Sequence, residues 1–440
     1  MRQHIHSMQP STEDRPLGFD RADAGLIDRQ RSRRLRVLIY TTLFPNSVHP
    51  LQGNFVLERM RHLLPFIDMS VVAPIPYFPR VNLNERWFKF ATVPHNEQFA
   101  GFDVDHPRYI VLPKLGMATQ GVSMFAGSLR QVCSRLRETD FDLIDAHYVY
   151  PDGLAATLLG AALNKPVVVS ARGTDINVFP QLKTIRPMIR RVLAQADAVI
   201  AVAQSLKNSM LDLGCPSEKI TVLRNGVDPV KFKPRPVLFA RHILALPPDR
   251  PIVLGVGQLT AGKGFHILIE AVARLRSHRP DVLLLLVGEG PQRPVLEKLI
   301  RDLGVSDSVR LVGSQPHERL ALWYSAADLF CLPSSKEGCP NVVLEAMACG
   351  RPVIATRVGG IPEAVVSPSV GTLVDRTVEA FEQAMAEALP RPWDHDGIVA
   401  HARSHDWSSI ATKILNIYSE VIARRRPQFP HSSSVQFCPK

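Results

Sequence analysis

From Leu35 onward the chain alternates short β-branched runs with longer amphipathic stretches, and it does so twice. In the first half, residues 35–40, 69–72, 143–146, 167–170, 198–201 and 220–223 read as strands. Helical patterns over 55–64, 121–137, 153–163 and 187–194 lie between several of them. Residues 251–256, 282–287, 309–311, 329–332, 353–356 and 371–374 repeat the strand pattern in the second half. Such alternation predicts parallel sheets covered by helices, and here two of them. Ligands of these sheets bind beyond the carboxyl ends of the strands, so two facing sheets place a site in the cleft between them. Residues 35–228 and 229–405 are the expected domains. The junction is the proline-rich, basic stretch 228–250, and an amphipathic helix over 406–424 follows.

The chain's 440 residues suffice for two or three cores. With 45% hydrophobic and 21% charged residues it is a globular chain. A net charge of +11 and a pI near 9.5 point to an anionic partner: nucleotide, phospholipid surface or nucleic acid. No nucleic-acid module is recognisable, so nucleic acid is not an expected partner. The six cysteines (Cys133, Cys215, Cys331, Cys339, Cys349, Cys438) form no C-x-x-C pair and lie mostly in apolar surroundings, as expected of reduced thiols in the cytoplasm. Residues 1–34 are polar and lack the apolar segment of a secretory signal, so a disordered extension is expected there; the tail 425–440 reads the same way. No uninterrupted apolar run reaches the ~18 residues of a membrane span. Any contact with a membrane is therefore expected to be at its surface.

Glu337-Gly-Cys-Pro-Asn-Val-Val-Leu-Glu345 carries two carboxylates with seven residues between them. It reads as a loop running into a short helix that Gly350 and Pro352 terminate. Free N–H groups at the helix start suit phosphate oxygens, and a carboxylate to each side suits the hydroxyls of a sugar or ribose. A solvated glutamate is the ordinary alternative for either one alone.

Gly257-Gln-Leu-Thr-Ala-Gly262-Lys263 matches the start of a P-loop, but Gly264 follows where a magnesium-binding Ser or Thr is required. A nucleotide hydrolase is thereby disfavoured, leaving a turn that presents Lys263. Gly53, after the first strand, permits close backbone approach to a ligand or simply serves a strand-to-helix loop. His147 ends a predicted strand, where it can contact a substrate hydroxyl, move a proton, or be structural. Arg172 follows another strand end and can pair with phosphate, while Asp175 can hold Arg172 or cap a turn. Arg224-Asn225-Gly226 reads as a turn. Asp103-Val-Asp105 is expected at the surface, and 80–90, rich in cations and aromatics, suits either anionic lipid or packing on its own domain.

Taken together, these residues resemble glycosyltransferase family 4, and most closely the bacterial exopolysaccharide and teichuronic-acid-type transferases. The likeness runs from Arg36 to about Trp407 and is most specific over Leu332–Glu363. It implies an α/β chain of the GT-B fold, two Rossmann-like parallel-sheet domains facing an interdomain cleft, with the last helix returning to the first domain. It also implies retaining transfer of a sugar from a nucleotide diphosphate donor to a glycan or lipid-linked hydroxyl. The nucleotide-sugar is then a co-substrate, with neither cofactor nor metal. By resemblance Glu337 contacts the donor sugar and Glu345 the ribose. The backbone of Gly338, Cys339, Pro340 and Asn341, with Lys263, meets the diphosphate. His147 lies at the reacting centre, and the Gly53 loop closes over the phosphates. Two departures stand out: Gln258 replaces the Arg of many relatives, and Arg172 stands where many have His. An epimerase of the same architecture, acting without an acceptor, and a non-catalytic nucleotide-binding subunit are the alternatives.

Overall fold

The computed structural model describes residues 34–50, 52–77, 85–111 and 116–425. The expected terminal extensions therefore lie outside the described residues, apart from Arg34 and Arg425, and so does part of the cationic aromatic stretch 80–90. In chain order the first half forms β1 (Leu35–Tyr40), β2 (Ile67–Val72), β3 (Ile75–Pro76), β4 (Asn96–Phe99), β5 (Phe102–Asp105), β6 (Arg108–Tyr109), β7 (Leu143–His147), β8 (Val167–Ala171), β9 (Ala198–Ala201) and β10 (Ile220–Val222). Eight of these make one sheet, ordered β10-β9-β8-β7-β1-β2-β5-β4, while β3 and β6 pair separately. All neighbours in the large sheet run parallel except the edge strand β4. The second half adds β11 (Ile252–Val256), β12 (Leu283–Val287), β13 (Val309–Gly313), β14 (Leu329–Leu332), β15 (Val353–Thr356) and β16 (Gly371–Val374). They form a fully parallel sheet ordered β13-β12-β11-β14-β15-β16.

The central strands of each sheet are buried on both faces, which is why β12 is apolar throughout. Alternation along β7 sends Leu143, Asp145 and His147 to one face and Ile144 and Ala146 to the other. The first face is covered by the helix Asn54–Leu63 and by the last helix, Trp407–Arg425. Trp407, Ile410, Ile414, Tyr418 and Val421 recur at spacings of three and four, so they form one stripe of that last helix. The stripe packs in one cluster with Val37, Ile39, Met60 and Leu143, and each such side chain contributes about 1.5–3 kcal/mol on burial. The Val227 N–H donates to the His405 carbonyl at 3.0 Å, so the outgoing and returning crossings between the sheets run side by side.

The surface expectation for Asp103-Val-Asp105 needs correcting in half. Both residues lie on β5; Asp103 is exposed, but Asp105 is fully buried. Arg135, from the long helix Gly116–Thr139, reaches it at 2.5 Å and Asn96 donates at 2.6 Å. Burial opposes the charge on Asp105, yet these partners hold its carboxyl below the usual range. A neighbouring stretch has equally local packing: the Phe90 ring lies 5.1 Å from that of His49.

Candidate active site

The carboxyl ends of β1, β7 and β8 face those of β11 and β14, and three neighbouring hollows that share lining residues occupy the gap. The first, about 380 Å³, is lined by Phe55, Arg172, Lys263 and Glu337 together with Gly338–Val342. A narrow throat of about 30 Å³ shares Phe55 and Asn341 with it and adds Glu345. The throat in turn shares Asn54, Glu58 and His317 with a third hollow of about 430 Å³, bordered by Arg61, Lys231 and residues 314–318. The line of hollows is elongated, with charged groups at intervals.

Lys263 ends the short helical turn Ala261–Lys263 after β11. Gly264 follows with φ 71°, and a Cβ there would collide with the Pro333 carbonyl. That crowding explains the glycine in place of a P-loop Ser or Thr. The Lys263 ammonium donates to Glu337 Oε1 at 2.5 Å, and the Ser334 hydroxyl donates to the same oxygen at 2.6 Å. The carboxylate and the cation therefore neutralise one another at the cavity wall. Gln258 is exposed and lines none of the three hollows.

Glu345 lies on the helix Asn341–Ala348, with Pro340 just before its first turn. It accepts from His317 Nε2 at 3.0 Å and from the Tyr324 hydroxyl at 2.9 Å. Lys231 links His317 Nδ1, at 2.6 Å, to Glu58 Oε1, at 3.2 Å, and so carries the network across the cleft. Gly338 is pressed against the first half: a Cβ on it would collide with the Arg172 carbonyl. Cys339 Sγ accepts from the Asn225 N–H at 3.4 Å, and burial pushes the thiol up to about 11, so it stays protonated. Asn225 also donates to Asn341 at 2.9 Å and accepts from Arg172 Nη1 at 3.2 Å. The Asn-Gly turn signal concealed this joint between the halves. A second joint is Glu363, which accepts from the Gln204 N–H at 2.7 Å and from Arg224 at 2.8 Å.

On the first-half side, Gly53 has φ 66° and a Cβ there would strike the Leu43 carbonyl. Its neighbours Asn54 and Phe55, rather than Gly53, line the hollows. Asp152 accepts from the Thr42 N–H and hydroxyl and so ties the β1 loop to the turn after β7. His147 is wholly enclosed and lines none of the hollows. The next residue, Tyr148, has φ 96°, a strained value of the kind that clusters at functional sites. Arg172 Nη2 contacts His147 Nδ1, and the guanidinium lies 5.1 Å over the Phe55 ring. Asp175 caps rather than pairs: it accepts from the backbone N–H groups of Val149 at 2.8 Å, Gly173 at 2.8 Å and Arg172 at 3.1 Å.

Sequence reasoning overlooked Arg59, Asp145 and Tyr418, all buried beside His147. A signal was available for Asp145, a carboxylate inside an apolar strand, but Arg59 lies among Glu58, Arg61 and His62 and nothing local set it apart. Among the described residues, no group of three or more His, Cys, Asp or Glu is arranged to hold a metal, and no helix is long and apolar enough to cross a membrane.

A family profile described as "Glycosyltransferase Family 4" matches residues 88–231, and one described as "Glycosyl transferases group 1" matches residues 238–412. The chain is 31% identical over 345 residues to a D-inositol 3-phosphate glycosyltransferase of Thermobispora bispora, covering 72% of this chain and 79% of that one. A Bacillus subtilis protein named as the teichuronic acid biosynthesis glycosyltransferase TuaC is 29% identical, with 83% and 90% covered. The sucrose-phosphate synthase structure from Thermosynechococcus elongatus superposes with a TM-score of 0.72 at 23% identity, over 89% of this chain and all of that one. That likeness shows the fold, GT-B. With both halves matched and two facing parallel sheets in place, the chain belongs to glycosyltransferase family 4, as a retaining, nucleotide-sugar-dependent enzyme.

Proposed function

We propose that the donor lies along the three hollows and that its sugar passes to a hydroxyl of a glycan or lipid-linked acceptor in cell-surface or exopolysaccharide synthesis. The carrying observation is the match between an elongated ligand and three neighbouring hollows that share lining residues and carry charged groups at intervals. The sugar and diphosphate occupy the hollow with Lys263, Arg172 and Glu337. The ribose passes Glu345 in the throat, and the base enters the larger hollow beside residues 314–318. Departure of the nucleoside diphosphate builds negative charge, which Lys263, Arg172 and the amino end of the helix Asn341–Ala348 stabilise without reorganising. Glu337 exchanges Lys263 for a donor hydroxyl as the phosphate takes the lysine. Retention follows a front-face course, in which the leaving phosphate oxygen accepts the acceptor's proton as the new glycosidic bond forms.

The net charge of +11 suits attachment to an anionic inner membrane face, where a lipid-linked acceptor resides. The test is thermal stabilisation by UDP-, GDP- and ADP-sugars, followed by transfer to lipid-linked acceptors. One donor should stabilise the protein and turn over, and Glu337→Ala should reduce transfer at least ~100-fold with the fold intact. Full activity in that variant contradicts the assignment, and donor turnover that needs no acceptor contradicts transfer.

A further inference from the structure

We propose that Tyr418 and Asp145 are positioning residues which, with His147, form a buried chain holding Arg172 at the donor cavity. The inference rests on the donor reading above only for what Arg172 touches, a phosphate oxygen of the donor; the chain itself stands on contacts within the protein. The Tyr418 hydroxyl donates to Asp145 Oδ2 at 2.6 Å, bridging residues 273 apart in sequence. His147 Nε2 lies 3.2 Å from the same oxygen but outside hydrogen-bond geometry, so this link is a close electrostatic contact, and both side chains are wholly enclosed. His147 Nδ1 meets Arg172 Nη2, and Arg172 reaches the cavity that Lys263 and Glu337 also line.

The direction of the two hydrogen-bonded links is forced: Tyr418 donates to the Asp145 carboxylate and Arg172 donates to His147. A guanidinium only donates, so His147 Nδ1 must accept, which leaves its proton on Nε2, facing the Asp145 carboxylate. A doubly protonated imidazole would set two N–H groups against each other at Arg172. Burial pushes His147 down to about 4, against the pull of Asp145, and Arg172 acts in the same direction as burial. The groups packed round the pair come from four elements: Asp145 on its own strand, Arg172 after β8, Arg59 from the helix Asn54–Leu63 and Tyr418 from the last helix. Arg59 Nη1 donates to the Ser170 hydroxyl at 3.0 Å, and its charge favours ionised Asp145.

His147 lines none of the three hollows, whereas Arg172 reaches one of them. Asp145 and His147 are two residues apart on one strand and share a face, whereas Arg172 leaves the end of the adjacent strand and turns into the gap. Phe55 beneath the guanidinium and Asn225 at Nη1 fix its remaining freedom. The last helix thereby reports its seating on the first sheet to the donor cavity through one phenol.

The test is a double-mutant cycle on the full chain, with Tyr418→Phe and Arg172→Ala separately and together, titrated with UDP, GDP and ADP. The chain predicts that Tyr418→Phe weakens nucleoside diphosphate binding about tenfold in the native background and has no further effect once Arg172 is Ala. An equal loss in both backgrounds makes Tyr418 merely structural and overturns the proposal, as does no loss in either. The second readout is the tautomer of His147 by ¹⁵N NMR, assigned by loss of its signals in His147→Gln. Protonation at Nε2 supports the chain and protonation at Nδ1 overturns it, whether or not Tyr418→Phe folds. If the native protein binds none of the three nucleotides, the donor reading fails, while the tautomer still decides the chain.

Discussion

The two walls of the cleft hold their charges in opposite ways. On the second-half wall, Lys263 and Glu337 make one short contact at the edge of a cavity, with side chains 26% and 11% exposed. On the first-half wall, Asp145 and His147 are both wholly enclosed and locked between Tyr418 and Arg172. The first kind of pair borders a cavity, so a ligand's phosphate and hydroxyl can take over its two partners. A buried pair that loses one member leaves an uncompensated charge, so it stays shut. One wall is built to exchange partners, and the other to keep a single geometry.

The largest expected break in this contrast is Asp145→Ala. It removes the charge that offsets Arg59 and the acceptor for Tyr418, so urea unfolding should show a loss of about 3–5 kcal/mol. A loss below 1 kcal/mol would mean the first wall is as exchangeable as the second. A smaller effect is expected from pH. His147 titrates near 6.5 unfolded but is pushed down to about 4 when folded. The unfolded chain therefore binds the extra proton between those values. The stability this group contributes is complete above 6.5 and is lost as the pH falls towards 4. Asp145, held below the usual carboxylate range, acts in the same sense at still lower pH. His147→Gln should flatten the fall in unfolding midpoint from pH 7 to 4.5, whereas slopes parallel to the native protein's would contradict the enclosed, neutral imidazole.

The two walls also differed in how far the sequence exposed them. The strands of the second sheet could be read because β11, β12 and β14 are apolar runs set between helical patterns. Lys263 and Glu337 stood out because each lies in a compact motif, although nothing local told that they touch across 74 residues. The edge pair β4 and β5 escaped because β4 is polar over three of its four residues and β5 is a short alternation that gives no apolar run. Asp105 was misplaced for a related reason: its burial depends on Arg135, 30 residues away. The chain through Tyr418 was the least legible of all. Its amphipathic helix could be recognised, but which face carried a buried hydroxyl, and which carboxylate met it, depends on how that helix lies across the sheet.

The central claim is that the Lys263–Glu337 contact opens to receive the donor's phosphates. Calorimetric titration of the full chain with UDP, GDP and ADP, repeated on Lys263→Ala, tests it most directly. One nucleotide should bind the native protein and lose at least tenfold in affinity, about 1.4 kcal/mol, in the variant, with the unfolding midpoint nearly unchanged. Equal affinity in both proteins would contradict the claim and return Lys263 to the role of a surface lysine paired with a glutamate.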